Sequence, residues 1–262
     1  MTDLGATHIE SLVYSLQPSE FVVYDNPPPL KLNTNIFEGT LENNVLTCRL
    51  KVYSATEAEA KAAVEGTLRA WEINAALQRG YPEFKFVFQK VVLVDRNPPE
   101  GKETSQPQVV TEAADYIKAE VRFGRIKLGQ YPPPPQNFCV TPEVEALWMR
   151  YEGYLRGREP LLAMASFCLT VIKDAYNGRT AAAKQMNIDE AVLNKIGNLT
   201  ATRGDLLTAR KINAQSTKQP ISGQERAWLQ EAVRAVIRRL GEARSLTPSK
   251  TLAMKDLPPL DQ

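Results

Sequence analysis

The chain has 262 residues, 43% hydrophobic and 24% charged, which is the composition of a globular protein with room for one large or two modest domains. The longest apolar run, around Leu161–Ile172, is too short to cross a bilayer. No secretory pattern is visible at the N-terminus, so we expect no membrane association and a cytoplasmic location. The net charge of +2 is uneven, with 14 Lys and Arg against 17 Asp and Glu in residues 1–140, and 18 against 13 in residues 141–262.

The first half, residues 1–131, shows the period-two pattern of strands around a single helix. The predicted strands are residues 37–41, 46–52, 84–94 and 117–123. Ser54 and Glu57 form a capping box at the start of the helix, with Thr56 as a competing cap. The apolar face of the helix consists of Val64, Leu68, Trp71 and Ala75. This order predicts an antiparallel sheet with one helix across it, preceded by a frayed N-terminal stretch and carrying a polar loop at residues 97–108.

The proline run Pro132–Pro135 cannot continue a helix or a strand, so residues 132–140 are predicted to be a linker. Beyond it the hydrophobic period changes to 3.6. The predicted helices are one capped by Thr141 and running to Leu155, then residues 161–175, 180–185 and 189–196, and a last one capped by Ser222 and Glu225. The sequence therefore predicts an α+β protein with an all-α helical bundle at residues 141–245 and a flexible tail at residues 246–262.

Few residues with catalytic chemistry are present. His8 is the single histidine, and Cys48, Cys139 and Cys168 lack the spacing of metal ligands. Three cysteines that lie far apart in the sequence favour a reducing compartment over a disulfide framework. No glycine-rich phosphate loop is found. We therefore assign no catalytic residue, metal or cofactor. An enzyme acting through carboxylates stays open as an alternative, and a cleft of charged residues with shifted pKa values would favour it.

Residues 179–193 have the pattern of a helix-turn-helix, in which residues 189–195 would enter the DNA major groove. The second of these helices offers Asp189, Glu190, Asn194 and Lys195. The two acidic residues at the start of this helix would be repelled by the DNA phosphates. An ordinary helical hairpin is the alternative interpretation.

Basic residues concentrate in the second half of the chain. The candidate nucleic-acid-binding residues are Arg179, Lys184, Arg203, Arg210, Lys211, Arg234 and Arg238. Arg234 and Arg238 lie four positions apart and share a face of the last helix, which also carries Arg239. This face is either a surface for phosphate groups or the solvated side of an amphipathic helix.

The stretch from Tyr151 to Lys211 resembles the helical bundles of the HEPN superfamily of prokaryotic defence and toxin systems. The resemblance rests on residues 154–162 leading into the apolar helix 164–172, and on Thr202-Arg203-Gly204-Asp205 in a later polar helix. Ribonucleases of that family carry an arginine followed five residues later by a histidine, paired across a dimer. Arg203 matches the arginine, but the fifth position is Thr208. The resemblance implies a bundle without histidine-dependent cleavage.

These observations favour a non-catalytic binding module in a prokaryotic defence or stress system. Its expected partners are RNA or DNA, a protein, or a second copy of the chain bound through the helical bundle. A DNA-binding regulator and a carboxylate-based enzyme are the two alternatives.

Overall fold

The structure is a computed structural model that describes residues 8–94, 125–204, 219–243 and 250–260. It divides into two compact units, the first made of residues 1–76 and 82–134 and the second of residues 77–81 and 135–262. The division after Pro134 falls inside the proline run Pro132–Pro135. The predicted strand at 117–123 and the predicted loop at 97–108 lie outside the described residues.

The first unit contains a five-stranded antiparallel sheet among its described residues. Its strands are β1 (His8–Pro18), β3 (Leu30–Asn33), β4 (Phe37–Glu42), β5 (Val45–Leu50) and β6 (Phe84–Val94), in the spatial order β3-β4-β5-β1-β6. A separate parallel pair joins β2 (Val22–Tyr24) to β7 (Ile126–Leu128). The predicted hairpin of β4 and β5 and the predicted strand β6 are confirmed. The predicted order of elements is incomplete, because β1, β2, β3 and β7 were not foreseen.

The strand β1 corrects the expectation of a frayed N-terminal stretch. It lies between β5 and β6 and pairs with both. Its pairing with β6 shifts register between Ile9 and Ser11 and again between Val13 and Tyr14. These shifts interrupt the regular alternation of buried and exposed residues by which strands are recognised in a sequence. The His8 ring stacks on Tyr53, with 5.8 Å between the ring centroids.

The helix α1 (Glu57–Arg79) begins at the competing cap. The Glu59 backbone N–H donates to the Thr56 hydroxyl at 3.3 Å, and the Thr56 N–H donates back to the Glu59 carboxylate at 3.3 Å. The capping box is therefore Thr56 with Glu59, and the prediction of Ser54 with Glu57 is wrong. The predicted apolar face is confirmed, since its members are at most 2% exposed: Val64, Leu68, Trp71 and Ala75.

Trp71 anchors the core of the first unit. Its ring lies 5.8 Å from the Phe84 ring and 5.1 Å from the Phe86 ring, measured between centroids. Its indole N–H donates to the Pro132 carbonyl at 3.0 Å. The side chain is fully buried. A single residue of α1 thus holds β6 and the start of the proline run.

The described part of the second unit is mainly helical. Its helices are α2 (Pro142–Leu155), α3 (Leu161–Ala175), α4 (Arg179–Gln185), α5 (Glu190–Thr202), α6 (Gly223–Glu242) and a short 3₁₀ helix (Met254–Asp256). The predicted caps at Thr141 and at Ser222 with Glu225 are confirmed. The α5 helix runs six residues beyond the predicted end at Ile196. An α+β protein with its antiparallel sheet in the first half and most helices in the second is therefore confirmed.

Residues 250–260 of the predicted tail carry specific contacts. Leu252 forms a parallel bridge with Ile188, just before α5. The Asp189 N–H donates to the Leu252 carbonyl at 2.8 Å, and the Leu252 N–H donates to the Asn187 carbonyl at 3.0 Å. These bonds fix the turn between α4 and α5 from outside.

Among the described residues, none of the helices combines the length and the hydrophobicity needed to traverse a bilayer. The same residues contain no cluster of three or more metal-ligating side chains. Cys48 and Cys168 are buried and Cys139 is exposed, all three as free thiols. Burial raises the pKa of the Cys48 thiol to about 12.

Candidate binding cavities

The arginines of α6 line a cavity of the second unit. Helical spacing places Arg234 and Arg238 one turn apart on one side, and Arg239 follows directly. The cavity has a volume of about 270 Å³ and is lined by Leu77, Gln78, Glu231, Arg234, Ala235, Arg238, Arg239, Glu242 and Leu252. Three arginines against two glutamates leave the lining with one formal positive charge. We call this the arginine cavity.

Carboxylates hold the three guanidinium groups in place. Arg238 Nε donates to Glu242 at 2.8 Å, and Arg239 Nη1 donates to the other oxygen of Glu242 at 3.2 Å. Arg234 pairs with Glu231 through Nη2. The terminal nitrogens of Arg238 make no hydrogen bond to a described residue, and its side chain is 47% exposed. Each guanidinium has five N–H donors, so donors remain for a ligand.

Gly80 explains why Arg234 can occupy its position. A β-carbon at residue 80 would lie 2.5 Å from Arg234 Nη1, and the backbone φ of +87° is a conformation that glycine adopts readily. Gly80 directly follows the last residue of α1, the place where helices commonly end on glycine. The glycine thus both ends the helix and leaves room for the guanidinium.

Arg203 lies in a different recess of the second unit. This recess has a volume of about 240 Å³ and is lined by Lys195, Arg203, Gln219, Pro220, Ser222, Glu225 and Leu260. The Arg203 guanidinium holds Glu225 through Nε at 2.9 Å and Nη2 at 2.8 Å. Glu225 and Arg238 are 13 positions apart on α6, which corresponds to about 20 Å. Arg203 therefore does not share the arginine cavity.

Glu225 is expected to make the second unit sensitive to acid. The hydrogen bond from Arg203 lowers the pKa of the Glu225 carboxyl, and the Ser222 N–H adds to the effect. Ionised Glu225 stabilises the folded state fully above the ordinary glutamate pKa of about 4.3. This stabilisation is lost as the pH falls through the lower pKa that Glu225 has in the folded state. Urea unfolding at several pH values between about 3 and 6 should show a steeper acid loss for wild type than for Glu225→Gln. Parallel curves for the two proteins would contradict this.

The helix-turn-helix region exists as α4 and α5, but its polar face is engaged. Arg179 Nη1 donates to the Asn194 side-chain carbonyl at 3.1 Å, and the Thr180 hydroxyl donates to Glu190 at 3.1 Å. The Arg179 guanidinium also packs directly against Gly197. Two of the side chains expected to read bases are thus bound to α4. This arrangement does not favour insertion of α5 into a groove.

The remaining candidates are separate from both recesses. Lys184 is exposed and makes no ion pair with a described residue. Arg210 and Lys211 lie outside the described residues, as do Asp205 and Thr208 of the HEPN-like motif. Of the seven predicted residues, the structure brings Arg234 and Arg238 together and adds Arg239 and Gln78 to them.

A second cavity, in the first unit, was missed by the sequence analysis. It has a volume of about 570 Å³ and is lined by Tyr14, Glu65, Gly66, Leu68, Arg69, Glu72, Lys85, Phe86 and Phe88. We call it the aromatic cavity. Its residues come from β1, α1 and β6, and the register that places Tyr14 opposite Phe88 brings them together. No local motif in the sequence signals such a combination.

Glu72 has a structural role at the edge of the aromatic cavity. One of its oxygens accepts the Phe86 backbone N–H at 2.7 Å, and the other accepts from Arg69 at 2.8 Å. Burial raises the pKa of the Glu72 carboxyl, against the opposing effect of these two donors. The carboxylate thus satisfies an N–H of β6 on the side away from β1, and both oxygens are occupied.

Comparisons with known proteins give no assignment. No family model matches the chain, and neither the curated proteins nor the solved structures contain a significant match.

Proposed function

We propose that the protein is a non-catalytic binding module that holds a phosphate group of a nucleic acid in the arginine cavity of its second unit. The main observation in favour of this proposal is that Arg234, Arg238 and Arg239 line one cavity and keep N–H donors that a ligand can use. Arginine is the side chain best suited to phosphate, because its planar donors match the oxygens of that group.

The glutamates of the arginine cavity support this proposal. Glu242 contacts both Arg238 and Arg239, and Glu231 contacts Arg234. Such pairs fix the guanidinium groups before a ligand arrives and reduce the entropy lost on binding. The lining retains one formal positive charge, and the surrounding half of the chain carries a balance of 18 basic to 13 acidic residues. Both features attract a polyanion.

The wider setting of the proposal comes from the sequence. We place the protein in the cytoplasm, with its second unit acting as a helical bundle in a prokaryotic defence or stress system, as the HEPN-like stretch implies. Binding of a protein partner or of a second copy through the bundle is the competing proposal. The carboxylate-based enzyme gains little from Glu72, because both of its oxygens are occupied. The DNA-binding regulator is disfavoured by the engaged face of α5.

Replacing Arg238 by alanine is expected to weaken the binding of labelled single-stranded RNA or duplex DNA about five- to tenfold, which corresponds to about 1–1.4 kcal/mol. The measurement is fluorescence anisotropy at salt concentrations from about 50 to 200 mM, where phosphate contacts are strongly attenuated. Loss of one phosphate contact should also lower the slope of log K against log salt by about one.

Arg156→Ala is the matched control. Arg156 pairs with Glu152 four residues away at 2.8 Å and is 49% exposed, and Arg238 pairs with Glu242 at the same spacing and distance and is 47% exposed. Arg156 does not line the arginine cavity. Equal weakening by the two variants would mean that only overall charge matters, and the absence of binding by wild type at about 50 mM salt would end the nucleic-acid proposal.

A further inference from the structure

The aromatic cavity has an aromatic wall and a charged wall. Tyr14 and Phe88 meet edge to face, with 5.7 Å between ring centroids, and Phe86 lies beside them on β6. The opposite lining comes from α1, whose Gly66 leaves open space because nothing lies within 4 Å of its ideal β-carbon position. Concave sites of this composition, apolar with a few polar groups, are those that bind small molecules.

The Tyr14 hydroxyl is an unsatisfied polar group in this lining. Tyr14 is only 2% exposed, and its hydroxyl oxygen has no partner in good hydrogen-bond geometry among the described residues, although the Glu65 carboxylate is close enough to interact with it. Buried polar groups are satisfied in the great majority of folded proteins, and an exception calls for an explanation. A ligand that donates a hydrogen bond to this oxygen supplies one.

The charges that act on this hydroxyl are negative. Burial raises the pKa of Tyr14, and the Glu65 carboxylate raises it further through its charge and a weak side-chain hydrogen bond, with smaller contributions from Cys48 and Glu57. The phenol therefore stays neutral at physiological pH and keeps lone pairs for a donor. Glu65 is exposed and forms no ion pair with a described residue.

The positive side chains of the lining do not reverse this preference. Arg69 is neutralised by Glu72 at 2.8 Å. Lys85 is exposed, and its charge offsets that of Glu65 only when the formal charges of the lining residues are added together. A cation already occupies an aromatic face here, since Lys61 Nζ lies 3.5 Å from the centroid of the Phe88 ring. Aromatic faces attract cations through the ring quadrupole.

We propose that the aromatic cavity is a binding site for a small organic cation, an ammonium group attached to an apolar body. The ammonium group donates to the Tyr14 hydroxyl and the Glu65 carboxylate, and the apolar body packs on Phe86, because Lys61, held by Glu57 at 2.7 Å, already covers a face of Phe88. The site lies in the first unit and is independent of the arginine cavity, so either proposal can fail without the other.

The test compares two probes with the same ring and opposite charge, phenethylammonium and 3-phenylpropionate, added to the full-length protein. Backbone amide NMR shifts locate binding, with the amides of Phe86 and Phe88 expected to move. For a probe of this size, a dissociation constant on the order of 1 mM is expected for the ammonium compound. The carboxylate should bind at least about tenfold more weakly, as expected from repulsion by Glu65.

Two variants assign the contacts. Glu65→Gln removes the charge from an exposed position and should weaken phenethylammonium binding about five- to tenfold. Glu42→Gln is the control, because Glu42 is also exposed but lies on β4 outside the cavity, and this variant should bind the probe as wild type does. Tyr14→Phe keeps the ring and should weaken binding with little loss of thermal stability, because the lost hydroxyl has no partner in good hydrogen-bond geometry. A Tyr14→Phe protein that loses stability but binds equally well would show a structural hydroxyl and overturn its assigned role. Equal binding of the two probes, or no shift at either amide, would overturn the site itself.

Discussion

Replacing Trp71 by alanine is expected to lower the free energy of unfolding of the first unit by about 3–5 kcal/mol. The side chain is fully buried and contacts Phe84 and Phe86 of β6, so its removal leaves a cavity between α1 and the sheet. The Pro132 carbonyl would lose its donor as well. Urea unfolding followed by circular dichroism measures the effect, and a change below about 1 kcal/mol would contradict the packing described.

Phenylalanine substitutions separate the hydrogen bond from the volume. Trp228 is as buried as Trp71, but its indole N–H has no acceptor among the described residues. Trp71→Phe removes volume and a bond worth about 1 kcal/mol, whereas Trp228→Phe removes volume alone. Trp71→Phe should therefore lower the free energy of unfolding of its unit by more than Trp228→Phe lowers that of the other unit.

Gly241→Ala is expected to destabilise the second unit by about 1–3 kcal/mol. Gly241 lies in the last turn of α6, and a β-carbon there would overlap the buried ring of Phe138. The Cys139 N–H also donates to the Gly241 carbonyl at 3.0 Å, so the ring and the helix cannot separate without breaking this bond. Thermal unfolding of the variant and wild type gives the comparison.

Gly66→Ala is the matched control with the opposite sign. Gly66 lies in the middle of α1, and nothing lies within 4 Å of its ideal β-carbon position. Alanine there should stabilise the helix by about 0.5–1 kcal/mol, since glycine is the poorer helix former. Destabilisation by both substitutions would indicate that propensity and local space do not explain these two glycines.

Helix boundaries were predictable from the sequence wherever a cap is local. Thr141 before Pro142, and Ser222 with Glu225, fix helix starts through bonds within four residues. The start of α1 shows the limit of this reasoning, because Ser54 and Thr56 both offer a cap. The Ser54 carbonyl accepts the Ile9 N–H of β1, so a long-range pairing draws Ser54 into the sheet and leaves the cap to Thr56.

The strands and cavities required information that the local sequence does not contain. The buried positions of β1 follow two register shifts, which a period-two pattern cannot reveal. Helical spacing correctly pairs Arg234 and Arg238 on one face, but no local pattern indicates that Gln78 lies beside them. Tyr14 lies beside Glu65 and Phe88 only because of the sheet register and the packing of α1. Sequence spacing therefore placed two of the nine lining residues of the arginine cavity together and did not predict the aromatic cavity.

The central position of β1 also bears on how quickly the first unit can form. Residues 8–18 pair with residues 84–94, and the intervening chain must be arranged before that pairing closes. Sheets that depend on such distant partners fold more slowly than structures built from neighbours, because loop closure costs entropy before any contact repays it. During synthesis β5 emerges before β6 and can pair with one edge of β1, so the other edge of β1 stays unpaired until β6 has been made.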